Sequence, residues 1–204
     1  MHPVSIQSLV GNTDIYLLDQ IMKGRYAPQD TILDAGCGTG RNLQWFLQND
    51  ITVYGIDSNE TVVQELQQKM PFLPAERFQV AGLAHIPFAE NFFDHIICNA
   101  VLHFAESESQ FINMIEGLVR VLKPGGSLFI RMASTIGMED KVVLIKEGVY
   151  HIPDGTMRFL LTKSLLTIFM QQFQLSFLEP LKIVNVNDTR CMATLVLQKN
   201  IDTR

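Results

Sequence analysis

The segment Ile32-Leu33-Asp34-Ala35-Gly36-Cys37-Gly38-Thr39-Gly40-Arg41-Asn42 constrains this chain more than any other. An apolar run ends in an acid, glycine takes every second place over five positions, and helical spacing then resumes through Leu43, Phe46 and Leu47. A strand, a tight glycine turn and a helix start let a ligand come close to bare backbone and meet unpaired N–H groups. A dinucleotide fingerprint G-x-G-x-x-G would need glycine at position 41, where Arg41 stands. The register is therefore G-x-G-x-G preceded by an acid.

Around this turn the hydrophobic period switches repeatedly between strand and helix, the pattern of a parallel sheet with crossover helices. Strands are expected at Thr31 to Ala35, Ile51 to Ile56, Phe78 to Val80, Phe92 to Cys98 and Ser127 to Met132. Helices are expected from Ile15 to near Gly24, from Arg41 to Gln48, from a Ser58 cap to Met70, and from Glu108 to Leu122 behind a Ser107/Gln110 capping box. Residues Ala133 to Phe159 lose period, so a long, partly ordered excursion is expected there, of the kind that often serves as a lid. Leu160 to Phe173 returns to helix. Gln174 to Leu178 and Arg190 to Leu197 read as an antiparallel hairpin joined through Asn185 to Asp188.

A length of 204 residues with 47% apolar and 18% charged residues suits one domain with a packed core and excludes a disordered chain. The balance of 16 basic against 21 acidic residues, net −5, with no Lys/Arg run, argues against a partner bound chiefly through nucleic-acid phosphates. Met1-His2-Pro3-Val4-Ser5 has no secretory pattern, and no apolar run reaches the ~18 residues of a membrane span. A cytoplasmic location without membrane contact is the expectation. Cys37, Cys98 and Cys191 are spaced for neither a disulfide framework nor a Cys-x-x-Cys metal site, so buried thiols and no metal are expected.

The glycine segment resembles motif I of the class I S-adenosylmethionine-dependent methyltransferases. Further landmarks follow in that family's order: Tyr54-Gly55-Ile56-Asp57, then Ile86-Pro87-Phe88, Asn91-Phe92-Phe93-Asp94, Asn99 to Phe104, and Val121-Leu122-Lys123-Pro124-Gly125-Gly126. The resemblance covers residues 30 to 132. Asp14 to Gln20, Pro153-Asp154-Gly155 and Arg190-Cys191-Met192 look like a bacterial subgroup of the same superfamily.

This resemblance implies a Rossmann-like three-layer α/β sandwich with a seven-stranded, mostly parallel sheet in the order 3-2-1-4-5-7-6, the last strand antiparallel. It implies one methyltransferase domain over 1–204: an N-terminal helical lid (1–29), a cofactor core (30–132), a substrate-side excursion (133–159), and a C-terminal helix and hairpin (160–204). S-adenosyl-L-methionine would be the cofactor and S-adenosyl-L-homocysteine its product. Asp34, Gly36, Cys37, Gly38 and Gly40 would hold the methionine portion, and Asp57 with Ser58 the ribose. Gly82 and Leu83 would meet the adenine edge, and Asn99, Ala100 and Leu102 would floor the sulfonium. The acid that relatives carry near the adenine amino group is absent, since Gly82 stands there.

Methyl transfer is an in-line displacement, so positioning matters most and a general base is optional. His103, at the carboxyl edge of the fourth strand, is the candidate base, with a wall contact as the plainer reading. Tyr16, Arg131, Tyr150, His151 and Arg158 are candidates for the acceptor pocket, against plain core packing for Tyr16 and a solvated loop for residues 150 to 158. The expected partner is a small-molecule acceptor, and the chain a monomer or homodimer. Two rivals stand beside methyl transfer: a protein that keeps the cofactor pocket without turnover, and a nicotinamide-dependent oxidoreductase.

Overall fold

The structure, a computed structural model, describes residues 5–201. The outer ends of the expected lid and C-terminal segment, residues 1–4 and 202–204, lie outside the described residues, as does most of the segment read for a leader.

The chain runs α1 (Ile6–Val10), α2 (Ile15–Met22), β1 (Thr31–Ala35), α3 (Gln44–Gln48), β2 (Thr52–Asp57), α4 (Glu60–Lys69), β3 (Phe78–Val80), β4 (Phe93–Asn99), α5 (Glu108–Val121) and β5 (Leu122–Ser134). After these come β6 (Val143–Lys146), β7 (Val149–His151), β8 (Met157–Phe159), α6 (Lys163–Gln172), β9 (Leu175–Phe177), β10 (Lys182–Val186) and β11 (Arg190–Lys199). The main sheet has the order β3-β2-β1-β4-β5-β11-β10, with β1 to β5 mutually parallel and β11 antiparallel to β5.

Alternate residues of the central strands feed two cores. Leu33, Ile96, Ile130 and Leu195 pack with Phe111, Ile115 and Leu118 of α5 and Phe169 of α6. Their neighbours Ile32, Ile97, Phe129 and Val196 pack instead with Leu17 of α2, Phe46 of α3 and Leu66 of α4. That alternation gives a sheet covered on both faces, which is why its strands read as continuous apolar runs.

The expected strand order holds, but the sheet has eight strands because its edge position is broken in two. β9 pairs with Leu197 to Lys199 and β10 with Arg190 to Thr194, so both lie along one side of β11. Between them stands Pro180, which has no N–H to give the ladder. The hairpin partner of β11 is therefore β10, and the segment Gln174 to Leu178 is not joined to it by the Asn185 to Asp188 turn.

Three local expectations also change. The α4 cap is Asn59, whose side chain accepts from the Val62 amide, rather than Ser58. Arg41 to Leu43 form turns before α3 begins at Gln44. The excursion is an ordered three-stranded antiparallel sheet, β6-β7-β8, tied back by the Leu161 amide donating to Ala133 O at 3.0 Å. His95 is mostly buried. Its ring links Ser127 Oγ at 2.7 Å to Asp30 at 3.0 Å, and so joins β4 to β5 and to the residue before β1.

Candidate cofactor and acceptor site

A cleft of about 500 Å³ opens at the carboxyl ends of the parallel strands, where open α/β sheets hold ligands. Gly36, Asp57, Ser58, Gly82, Leu83, Asn99 and Ala100 line it, seven of the twelve residues expected to meet a cofactor. Gly36 has φ +83°, and a Cβ there would collide with the Val101 side chain that forms the neighbouring wall. Only glycine lets the turn pass so close to the end of β4.

The other five lie behind the cleft. Asp34 is fully buried under the turn and neither carboxylate oxygen has a partner. Burial pushes its pKa up to about 7, against a smaller opposing pull from Arg41. Cys37 turns its sulfur into the core against Gly55, and burial raises its thiol far above the ordinary range. Gly40 faces Leu66 of α4, and Leu102 is a core residue. Gly38 acts through its amide, which donates to Asp57 at 3.0 Å.

Three amides of the turn are already engaged. Gly36 and Cys37 both donate to Ile56 O, at 2.8 and 2.9 Å, and Gly40 donates to Cys37 O at 2.9 Å. These bonds make the turn rigid and bind it to β2. The side chains that remain unanswered are elsewhere: Asn99 lines the cleft, is 6% exposed, and has no partner at either polar atom. Ala100 follows with φ +64°, a left-handed conformation rare for a residue with a Cβ. Its amide donates to Arg131 O at 2.8 Å, holding the strained corner to β5.

Two residues of α5 complete the wall, of which the sequence marked Gln110 only as part of a helix cap. Gln110 and Met114, one helical turn apart, line the cleft opposite Ala81 to Ala84. Gln110 also completes the cap of α5: its amide donates to Ser107 Oγ and its side chain accepts from the Glu106 amide. From the same helix Arg120 donates to Ile86 O and Phe88 O, which fixes the Ile86-Pro87-Phe88 landmark.

Of the residues expected to meet an acceptor, Arg131 pairs with Asp14 at 3.2 Å and lies 4.9 Å from the Tyr16 ring centroid, so the N-terminal helix reaches the carboxyl edge of β5. Arg158 stands 5.1 Å over Phe104, another lining residue. His103 meets the Phe104 ring edge-on, with centroids 4.6 Å apart, and its Nδ1 is buried without a partner. Burial first, then Arg158, Arg190 and Arg131, lower its pKa to about 4, so it is a neutral imidazole and a weak base at pH 7. Tyr150 packs near Ala133 and Met192 and shares a sheet face with Arg158. His151 points to the opposite face and is exposed, so it does not join this group.

Comparison with known proteins agrees with this geometry. Residues 33–130 match the family model described as a methyltransferase domain. This segment, just under half of the chain, is similar to a methyltransferase domain. A tRNA (carboxymethyluridine(34)-5-O)-methyltransferase of Arabidopsis thaliana is 35% identical over 115 residues, 56% of this chain and 26% of that protein. The chain spans from about a quarter to under half the length of the first curated relatives it matches. Among solved structures, an S-adenosylmethionine-dependent methyltransferase of Methanosarcina mazei superposes with a TM-score of 0.73 at 18% identity, covering 89% of this chain and 98% of that one. The 1,6-didemethyltoxoflavin-N1-methyltransferase of Burkholderia thailandensis, solved with its substrate and S-adenosylhomocysteine, gives 0.68 at 18% identity, covering 94% and 80%. The chain thus has its fold in common with S-adenosylmethionine-dependent methyltransferases. Among the described residues no helix is long and apolar enough to cross a membrane, and no cluster of His, Cys, Asp and Glu is arranged for a metal.

Proposed function

We propose that the chain transfers a methyl group from S-adenosyl-L-methionine to a small-molecule acceptor by in-line displacement. The observation that carries this reading is the cleft itself, with the Asp57 carboxylate at one end and the buried, unpartnered Asn99 carboxamide on its floor. Buried polar atoms without partners are rare, and a ligand carrying amino and carboxylate groups would satisfy those of Asn99. The residues present therefore fit the cofactor. Asp57 would accept from the ribose hydroxyls, Asn99 would meet the methionine portion, and the backbone of Ala81 to Ala84 with Met114 would enclose the adenine. The cofactor supplies an electrophilic methyl group on a sulfonium sulfur, and what the chain adds is alignment and exclusion of water.

With its low pKa, His103 serves better as a neutral wall and hydrogen-bonding group than as a general base. Arg158, set against the cleft residue Phe104, favours an enzyme with a polar acceptor side. The outer strand β6, which exposes Val143 and Ile145, is the feature a partner-binding protein would use.

Calorimetric titration with S-adenosylmethionine and S-adenosylhomocysteine tests the reading, with Asp57→Ala as control and NADH as decoy. Binding in the micromolar range, about −8 kcal/mol, that Asp57→Ala abolishes is the expected result. Absence of binding by the wild type, or tight binding of NADH instead, would overturn it.

A further inference from the structure

The acceptor side of the cleft collects positive charge in a chain whose formal charge is −5. Arg158, Arg190 and Arg131 all bear on His103, and they come from three different strands, β8, β11 and β5. The group is continuous with the cleft, because Arg158 lies on Phe104 and Arg131 is the β5 register partner of the lining residue Asn99. Two carboxylates face it: Asp14, 3.2 Å from Arg131, and Asp154, 4.0 Å from Arg190 and also acted on by Arg158. Three guanidinium groups against two carboxylates and a neutral imidazole leave a net positive charge.

A second observation is independent of that balance. His103 Nδ1 and Arg131 Nε are buried and have no hydrogen-bond partner. A native fold seldom leaves such atoms unanswered, and two in one place mark where a ligand's polar atoms belong. Apolar surface lies alongside: Phe104 is 60% exposed, and Leu144, 57% exposed, shares its sheet face with Tyr150 and Arg158.

Resting on the methyltransferase reading, we infer that the acceptor is a small organic anion, its carboxylate or phosphate held against Arg158, Arg190 and Arg131 and its carbon body against Phe104 and Leu144. A guanidinium fork takes either group through two parallel N–H···O bonds, so an anionic pair of oxygens is the chemistry common to both. Asp14 and Tyr16 position Arg131 and leave its Nε for the ligand. An acceptor that arrives ionised also suits a site where the His103 imidazole holds a proton weakly.

The test uses the full chain saturated with S-adenosylhomocysteine, titrated with 3-phenylpropanoate, phenyl phosphate, the neutral isostere 3-phenylpropanamide and a short RNA hairpin. At least one of the two anions should bind in the millimolar range or tighter, and the amide about tenfold more weakly or not at all. The Arg158→Ala/Arg190→Ala double variant should lose about tenfold in affinity for the anion, and the corresponding double Lys variant should recover part of it. The comparison of acid with amide needs no variant, so a folding defect does not spoil the result. Equal binding of amide and acid, anion binding indifferent to both arginines, or no binding of either anion up to about 10 mM would overturn the inference. So would arginine-dependent binding of the RNA alone. If S-adenosylhomocysteine itself does not bind, the methyltransferase reading fails first and this inference falls with it.

Discussion

The Asp57 carboxylate accepts from the Gly38 amide at 3.0 Å through one oxygen and from the Asn59 amide at 2.9 Å through the other. The end of β2 is thereby latched to the glycine turn on one side and to the start of α4 on the other. Asp57→Asn keeps the shape but sets an NH₂ group against one of two N–H donors, so the turn must shift. Cofactor affinity should fall by about 1.5–3 kcal/mol, the range for a hydrogen bond to a charged group. Thermal shift checks this: at 100 times its dissociation constant the ligand stabilises the wild type by about 2.7 kcal/mol, and at that same concentration the variant should gain far less.

Gly117 sits where α5 crosses the Leu83–His85 turn, and a Cβ at that position would collide with the Leu83 carbonyl oxygen. The obstacle is backbone, so it cannot rotate away. Gly117→Ala improves helix propensity by up to ~1 kcal/mol, yet overpacking of about 1–3 kcal/mol should win. The chain can relieve the clash only by moving Leu83, which lines the cleft, so cofactor affinity should fall together with the denaturation midpoint. A stability loss with unchanged cofactor affinity would show that the turn does not transmit the shift.

The strand and turn of residues 31–40, Asp57 and the Gly82–Leu83 edge were legible because each lies within one short segment whose spacing fixes its geometry. Gln110 and Met114 were not, since a helix face reads the same whether it packs on a sheet or borders a cleft, and only the docking of α5 through Gly117 decides which. The edge strand failed for a related reason. Its two halves pair with residues at opposite ends of β11, a non-local choice that Pro180 hints at without specifying. That Ile56 O takes the amides of both Gly36 and Cys37 is likewise a contact between β2 and the turn that local sequence cannot reveal. In the excursion, Gly148, Pro153 and Gly155 mark turns, but its strands are too short for periodicity to register.

Asp34 should make stability depend on pH with an uncommon sign. Burial raises its pKa to about 7, above its ordinary value near 3.8, so the folded state binds the extra proton between those limits. The group's favourable contribution is then complete below about pH 3.8 and is lost as pH rises through 7. Comparing urea unfolding of the wild type with Asp34→Asn between pH 4 and 8 isolates the effect, because other titrating groups cancel in the difference. The variant should gain relative to the wild type as pH rises, by an amount of order 4 kcal/mol at most. A difference that stays flat with pH would mean that Asp34 is ionised throughout and has a partner.

His103 titrates in the opposite sense. Its folded pKa of about 4 lies below the ordinary 6.5, so the unfolded chain binds the proton first and the ring's contribution, present above pH 6.5, is lost as pH falls through 4. Burial is the first cause and the three arginines follow, so removing charge should raise the pKa only part of the way. In proton NMR the His103 Cε1–H signal should stay at its neutral position from pH 8 to 5 in the wild type. In Arg158→Ala/Arg190→Ala it should begin to move at higher pH, toward but short of 6.5. Binding of a small anion beside the ring should also raise the pKa, since the added negative charge favours the imidazolium. A wild-type midpoint near 6.5 would place the ring in solvent, away from the guanidinium groups, and would remove His103 from the acceptor wall altogether.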